Sequence, residues 1–130
     1  MTHQVLISLA SNHDQEKHLH QARLCLAQIL SSCQYTDAIW TKPFSSDKGK
    51  VTSEKLYLNQ LVSATTLLPS NQLESALKDI ERQMGRTTED RLQGIVRIDL
   101  DLLKFDDQCF HLRDWKRPYV KDLLSFIISR

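Results

Sequence analysis

Asp99 and Asp101 stand two residues apart in Arg97-Ile98-Asp99-Leu100-Asp101-Leu102-Leu103, a run in which acidic and apolar residues alternate. On a strand, residues two apart share a face. The spacing therefore predicts that both carboxylates point one way while Ile98, Leu100 and Leu102 point into a core. Adjacent carboxylates on one face repel unless a cation sits between them. Hard oxygen ligands suit Mg²⁺, which takes few carboxylates and completes its shell with water and phosphate oxygens. Paired metals with phosphate oxygens are a common way to stabilise phosphoryl transfer. An alternating strand with a solvated acidic face has the same pattern, so spacing alone leaves both readings open. Arginines stand near the acids: Arg82, Arg86, Arg91 and Arg97 before them, Arg117 after them. The planar, always-charged guanidinium suits phosphate. Acids that could hold metal, flanked by arginines, suggest a polyphosphate site; on composition alone a solvated mixed-charge loop fits as well.

Elements must position these groups. Val5, Ile7 and Leu9 alternate with Leu6, Ser8 and Ala10, a short run apolar on both faces that reads as a central strand. It stops at Ser11-Asn12-His13-Asp14. Leu19, Ala22, Leu26, Ile29, Leu30 and Cys33 then form one helical stripe. Tyr35 to Phe44 reads as a strand, followed by a polar loop from Ser45 to Lys50. Leu56 to Thr66 alternates again, with Tyr57, Asn59, Leu61 and Ser63 on one side, and should pair antiparallel with the preceding strand. Ser70 or Asn71 is expected to cap a second helix, whose stripe is Leu73, Ala76, Leu77, Ile80 and Met84. Gly85 is placed to end it in the left-handed region. A polar loop from Arg86 to Gly94 leads to a strand over Ile95 to Phe105, a turn at Asp106-Asp107, then Cys109-Phe110. Val120 to Ile128 has helical spacing. The order is β-α-β-β-α-β with a terminal helix. It predicts an α+β fold of the ferredoxin-like split βαβ kind, with two helices on one face of an antiparallel sheet and the other face open. Residues 1–130 are expected to make one domain.

Composition narrows the functions. The chain has 130 residues, 41% of them hydrophobic and 25% charged, an ordinary globular balance. A net charge of +1 argues against holding nucleic acid by bulk charge. Neither GxGxxG nor GxxxxGK[ST] occurs, so any nucleotide is held without a glycine cradle. Cys25, Cys33 and Cys109, odd in number and at no zinc-template spacing, suggest reduced thiols. The first ten residues lack the basic region and long apolar run of a signal peptide. No run approaches the ~20 apolar residues of a membrane span. A soluble, cytoplasmic protein is expected.

Five ordered segments resemble the 6-hydroxymethyl-7,8-dihydropterin pyrophosphokinases of folate synthesis, over Val5 to about Leu124. Ala10-Ser11-Asn12 is similar to the family's Gly-Ser-Asn. Thr41-Lys42-Pro43 precedes Tyr57-Leu58-Asn59, which is similar to its Tyr-Leu-Asn strand. Glu81 through Gly85-Arg86 is similar to its Glu-x-x-x-Gly-Arg helix end. Asp99-Leu100-Asp101 matches its Asp-Leu-Asp strand, and Arg117-Pro118-Tyr119-Val120 resembles its closing Arg-x-Phe-Val. The resemblance implies transfer of a pyrophosphoryl group from ATP to the pterin hydroxymethyl oxygen, with AMP leaving. It implies that Asp99 and Asp101 bind two Mg²⁺ ions, that Asn59 reads the pterin edge, and that Tyr57 and Tyr119 sandwich its ring. Thr41, Pro43 and Phe44 would line the pocket; Glu81, Arg86 and Arg117 would reach the nucleotide. His111 stands where the family has a nucleotide-contacting histidine when counted back from Arg117, but on a strand when counted from Asp101. The chain departs from the family at Ala10 and at Leu92-Gln93-Gly94-Ile95-Val96, where the family has Arg-Trp-Gly-Pro-Arg. Arg91 and Arg97, one residue out of register, are the substitutes for the missing catalytic arginines, Arg97 on the face of the acids. A non-catalytic pterin- or nucleotide-binding regulatory module on the same scaffold is the alternative. An RNA-binding sheet would carry basic and aromatic residues where this one carries two acids.

Overall fold

The computed structural model describes residues 2–42, 56–85, 87–111 and 120–121. The elements are β1 (His3–Ser11), α1 (Gln15–Leu26), β2 (Ser31–Tyr35), β3 (Ile39–Thr41), β4 (Tyr57–Thr66), α2 (Ser70–Gln83), α3 (Thr88–Leu92), β5 (Asp99–Phe105) and β6 (Gln108–Cys109). The strands form one antiparallel sheet in the order β2-β4-β1-β5-β6, with β3 also paired to β4. This is the expected α+β, ferredoxin-like plan. Its centre is β1, apolar on both faces as the sequence requires of a strand between two others.

Parity along the strands decides what each face carries. Val5, Ile7 and Leu9 of β1, Leu58, Val62 and Ala64 of β4, and Leu100 and Leu102 of β5 point to the side covered by α1 and α2. There they meet Leu19, Ala22, Leu26, Leu73 and Leu77, all essentially buried. Ile98, just before β5, joins the same core. The opposite face was expected to be open. Instead Leu6, Leu61 and Leu103 form a second buried cluster with Val120, and Ile39 packs against it. Residues of opposite parity on the same strands thus give that face an apolar half and a polar half.

Several boundaries differ from the pattern in the sequence. The stripe from Leu19 to Cys33 is not one helix: α1 ends at Leu26, the chain turns, and Cys33 lies in β2. Leu30 still reaches the core, so a turn that returns apolar residues to one core imitates helical spacing. The strand expected from Tyr35 to Phe44 is broken. Tyr35 pairs with Val62 and Ile39 with Asn59, so the edge has one residue more than β4 between those points. Thr36 holds the break together. Its hydroxyl accepts from Leu61 N at 3.1 Å and its carbonyl accepts from Gln60 Nε2 at 2.8 Å. Neither Ser70 nor Asn71 caps α2; Pro69 holds the cap position, with no side-chain cap bond. Gly85 has φ 101°, as expected of a left-handed helix end. The short α3 falls within the stretch expected to be a polar loop from Arg86 to Gly94. Of the expected terminal helix, Val120 and Lys121 are helical and the remainder lies outside the described residues.

Candidate functional site

The polar half of the second face is built by register. Asp99 pairs with Ala10, and Ala10 with Asn59, which pairs with Ile39, so these four residues form one row across β5, β1, β4 and β3. The next row holds Asp101, Ser8 and Leu61. Asp99 and Asn59 therefore face the same side two strands apart, about 10 Å at ordinary strand spacing. Ala10 and Ser8 between them are small and leave the surface low.

Asn59 is buried, and its amide is fixed by β3. Nδ2 donates to Thr41 Oγ1 at 2.7 Å and lies 3.3 Å from Ile39 O and 3.4 Å from Tyr57 O. With the NH₂ directed into its own strands, Oδ1 is the atom that can accept from a ligand. Tyr57, half-buried, precedes it by two residues on the same face and pairs with Thr41. Asp99 and Asp101 are both partly exposed at the start of β5. His111 Nε2 lies 4.0 Å from Asp101 Oδ1. His111 follows β6 rather than extending a strand, and its φ of 53° places it at a turn. A groove between α2 and β5 runs past Asn71, Glu74, Lys78, Leu102, Asp101 and His111.

Glu81 is the most deeply buried acid near the site, at 2% exposure. Its Oε2 accepts from Leu100 N at 2.7 Å, and Lys78 Nζ donates to Oε1 at 3.3 Å. This carboxylate ties the last turn of α2 to β5 between the two aspartates. Arg97 was expected on the face of the acids. It lies instead at a bend before β5, where strand periodicity has not begun. Its Nε donates to Asp90 Oδ2 at 2.7 Å and Nη2 to Asp90 Oδ1 at 3.3 Å. Arg97 first, and then hydrogen bonds from the Thr87 backbone N–H and hydroxyl, hold the Asp90 carboxyl below the usual carboxylate range. Arg91, on exposed α3, lines a cavity of about 210 Å³ with Glu81, Asp90, Gly94, Val96 and Arg97. Pro43, Phe44, Arg86, Arg117 and Tyr119 lie outside the described residues.

Two residues with site-building roles were not singled out in the sequence. Asn12, read as part of a turn, is buried and grips the segment before β5. Its N–H donates to Val96 O at 2.9 Å, Oδ1 accepts from Val96 N at 2.6 Å, and Nδ2 donates to Gly94 O at 2.9 Å. Only the match of Ser11-Asn12 to a family motif hinted at it. Asp90 could have been found from Thr87-x-x-Asp90, a capping spacing: Thr87 Oγ1 accepts from Asp90 N at 3.1 Å.

Among the described residues no group of three or more His, Cys, Asp or Glu could hold a metal. The carboxylate pair instead fits Mg²⁺, which a protein holds through one or two carboxylates while phosphate and water fill the other positions.

Sheet and helices define an α+β, ferredoxin-like protein, with α1 and α2 on one face of the sheet and the two carboxylates on the other. The chain belongs to the 7,8-dihydro-6-hydroxymethylpterin-pyrophosphokinase (HPPK) family, whose model matches residues 6–129. It is similar to the "Folate synthesis bifunctional protein, mitochondrial" of Pisum sativum, 41% identical over 91 residues, 61% of this chain and 18% of that protein. It is also similar to the "Folate synthesis bifunctional protein" of Arabidopsis thaliana, 31% identical over 85 residues, 59% of this chain and 18% of that protein. The match thus covers under a fifth of the length of either relative.

Proposed function

We propose that the protein is a Mg²⁺-dependent pyrophosphokinase that transfers the terminal pyrophosphoryl group of ATP to the hydroxymethyl oxygen of 6-hydroxymethyl-7,8-dihydropterin. The observation that carries this reading is the row Asp99–Ala10–Asn59 on one face, within a chain of this family. Asn59, whose amide could read the edge of a flat heterocycle, and the carboxylate pair lie on one surface, a separation that would suit a small bicyclic ring and its substituent.

In this reading Asn59 Oδ1 accepts from a donor on the pterin edge, since its NH₂ is engaged by Thr41. Tyr57 stacks on the ring, with Tyr119 as the opposite wall and Thr41, Pro43 and Phe44 beside it. The nucleotide lies towards the groove that Asp101 and His111 share, with Arg86 and Arg117 as further phosphate ligands. Asp99 and Asp101 would hold two Mg²⁺ ions, which when bound would offset the negative charge of the ATP phosphates. Glu81 acts from beneath, fixing β5 so that both carboxylates keep their direction. Burial of the alcohol beside the phosphate chain would exclude the water that otherwise competes for transfer.

A place in folate synthesis and a cytoplasmic location belong to the same reading. The location rests on three unpaired cysteines; no helix of the described residues is long and apolar enough to cross a membrane. A non-catalytic binding module is the second reading, favoured by the engagement of Arg97 with Asp90 rather than with the acid face. Calorimetry with Mg²⁺ and a non-hydrolysable ATP analogue, with and without the pterin, should give mutually enhanced binding. AMP release from ATP and the dihydropterin then decides between the two. Binding of both ligands without AMP supports the module, and binding of neither removes both readings.

A further inference from the structure

Gly85 and residues 87–97, between α2 and β5, fold back on one another. Arg97 packs back over Gly85, where an added Cβ would come within 3.3 Å of its Cδ. The side chain of Arg97 is about one-third exposed while that of Asp90 is 7% exposed, so the fork meets a carboxylate that has left water. Within the segment Ile95 N donates to Asp90 O at 2.8 Å, and Thr87 caps Asp90. From outside, Asn12 grips Gly94 and Val96. The two ends of the connection between α2 and β5 therefore pack together, and its later end is tied to Asn12 just after β1.

We infer that Arg97 is a positioning residue rather than a phosphate ligand: with Asp90 it latches the α2–β5 connection into a fixed strap that sets where β5, and so Asp99 and Asp101, begin. Three observations carry this. The partner is buried, so releasing Arg97 would strand a desolvated carboxylate, a change costing far more than loss of an exposed ion pair. Two N–H groups engage two oxygens, which fixes direction as well as distance. Arg97 also stands two residues before Asp99 at a bend, so its anchoring determines where strand geometry starts. Arg91, exposed on α3, lines the cavity beside this latch together with Asp90 and Arg97.

The latch itself is independent of any ligand; its effect on nucleotide affinity rests on the pyrophosphokinase reading. The test is amide hydrogen exchange on Asp90→Asn, Arg97→Gln, the double variant and Arg97→Lys. A latch predicts that each single change speeds exchange at Ile95 and Val96 at least tenfold. The double variant should go little further than the larger single effect, β1 and β4 should keep their protection, and Lys should restore only part because one ammonium cannot make both bonds. Unchanged exchange at Ile95 and Val96 in Asp90→Asn overturns the inference. So does fully additive loss. Calorimetry with Mg²⁺ and the ATP analogue adds a sign test. A latch makes Asp90→Asn and Arg97→Gln weaken binding together, whereas a phosphate ligand restrained by Asp90 would make Asp90→Asn tighten it while Arg97→Gln weakens it. Should the wild-type protein bind no nucleotide, the functional reading falls and hydrogen exchange still decides the latch.

Discussion

At the scale of single residues, Asp101 and Asn59 separate two kinds of recognition. Asp101 is a partly exposed carboxylate at the start of β5, 4.0 Å from His111. It lies outside both buried apolar clusters, so Asp101→Ala should keep its circular dichroism spectrum. It should lose Mg²⁺-dependent nucleotide affinity by at least about tenfold, or ~1.4 kcal/mol. Equal affinity in mutant and wild type would remove Asp101 from the metal site. Asn59 is buried and its NH₂ is held by Thr41. Asn59→Ala therefore loses the acceptor offered to the ligand and also leaves Thr41 without that donor. Pterin affinity should fall by about tenfold, with a stability loss of ~1 kcal/mol. Parallel titration of pterin and nucleotide checks the assignment: the pterin should suffer first, and an effect confined to the nucleotide would place Asn59 elsewhere in the site.

At the scale of elements, the end of α2 is where a small residue is required twice over. Gly85 has φ 101°, a conformation costly for any residue with a Cβ. A Cβ there would also press on Arg97 at 3.3–3.4 Å. Gly85→Ala should therefore destabilise by ~1–3 kcal/mol, read as a lower urea midpoint with unchanged slope. It should loosen the strap more than it affects β1 or β4. A midpoint equal to wild type would mean that the turn relaxes freely and that the left-handed residue is not a constraint.

At the scale of the whole molecule, ion pairs and burial set a pH window. His3 Nδ1 lies 2.7 Å from Asp106 Oδ2, and Gln4 N donates to Oδ1, joining the start of β1 to the β5–β6 turn. These contacts, the His3 hydrogen bond first, hold the Asp106 carboxyl below its usual range; Arg97 does the same for Asp90. A depressed folded value contributes stability that is present above the ordinary carboxylate range, about 3.9, and is lost as pH falls through the folded value. At the other end, burial pushes the Tyr35 phenol up to about 12. That contribution is present below about pH 10 and is lost as pH rises from there towards 12. Urea midpoints measured across pH should form a plateau with losses at both ends. Asp106→Asn should flatten the acid limb and Tyr35→Phe the alkaline one. An acid limb in Asp106→Asn as steep as in wild type would show that other groups set it.

Periodicity along the chain determines much of this protein. Alternation in β1, β4 and β5 specified which residues share a face, because side-chain direction on a strand follows from the backbone alone. That is why Tyr57 and Asn59, and Asp99 and Asp101, were placed together correctly, and why the β-α-β-β-α-β order led to the sheet. Gly85 was legible for a similarly local reason. What the sequence left undecided depends on pairing between distant segments. Cys33 fits the stripe of α1 but belongs to β2, since a turn can deliver the same residues to the same core. Arg97 has the spacing of a third face-sharing residue, yet β5 begins only where Ala10 pairs with Asp99, and before that point Asp90 draws the side chain away. The helix-free face was expected to be open because the split βαβ plan puts both helices on the other one. Leu6, Leu61, Leu103 and Val120, far apart in the chain, cover half of it. Only the register of three strands brings them into one cluster, and that register also sets Asn59 opposite Asp99 across a single alanine.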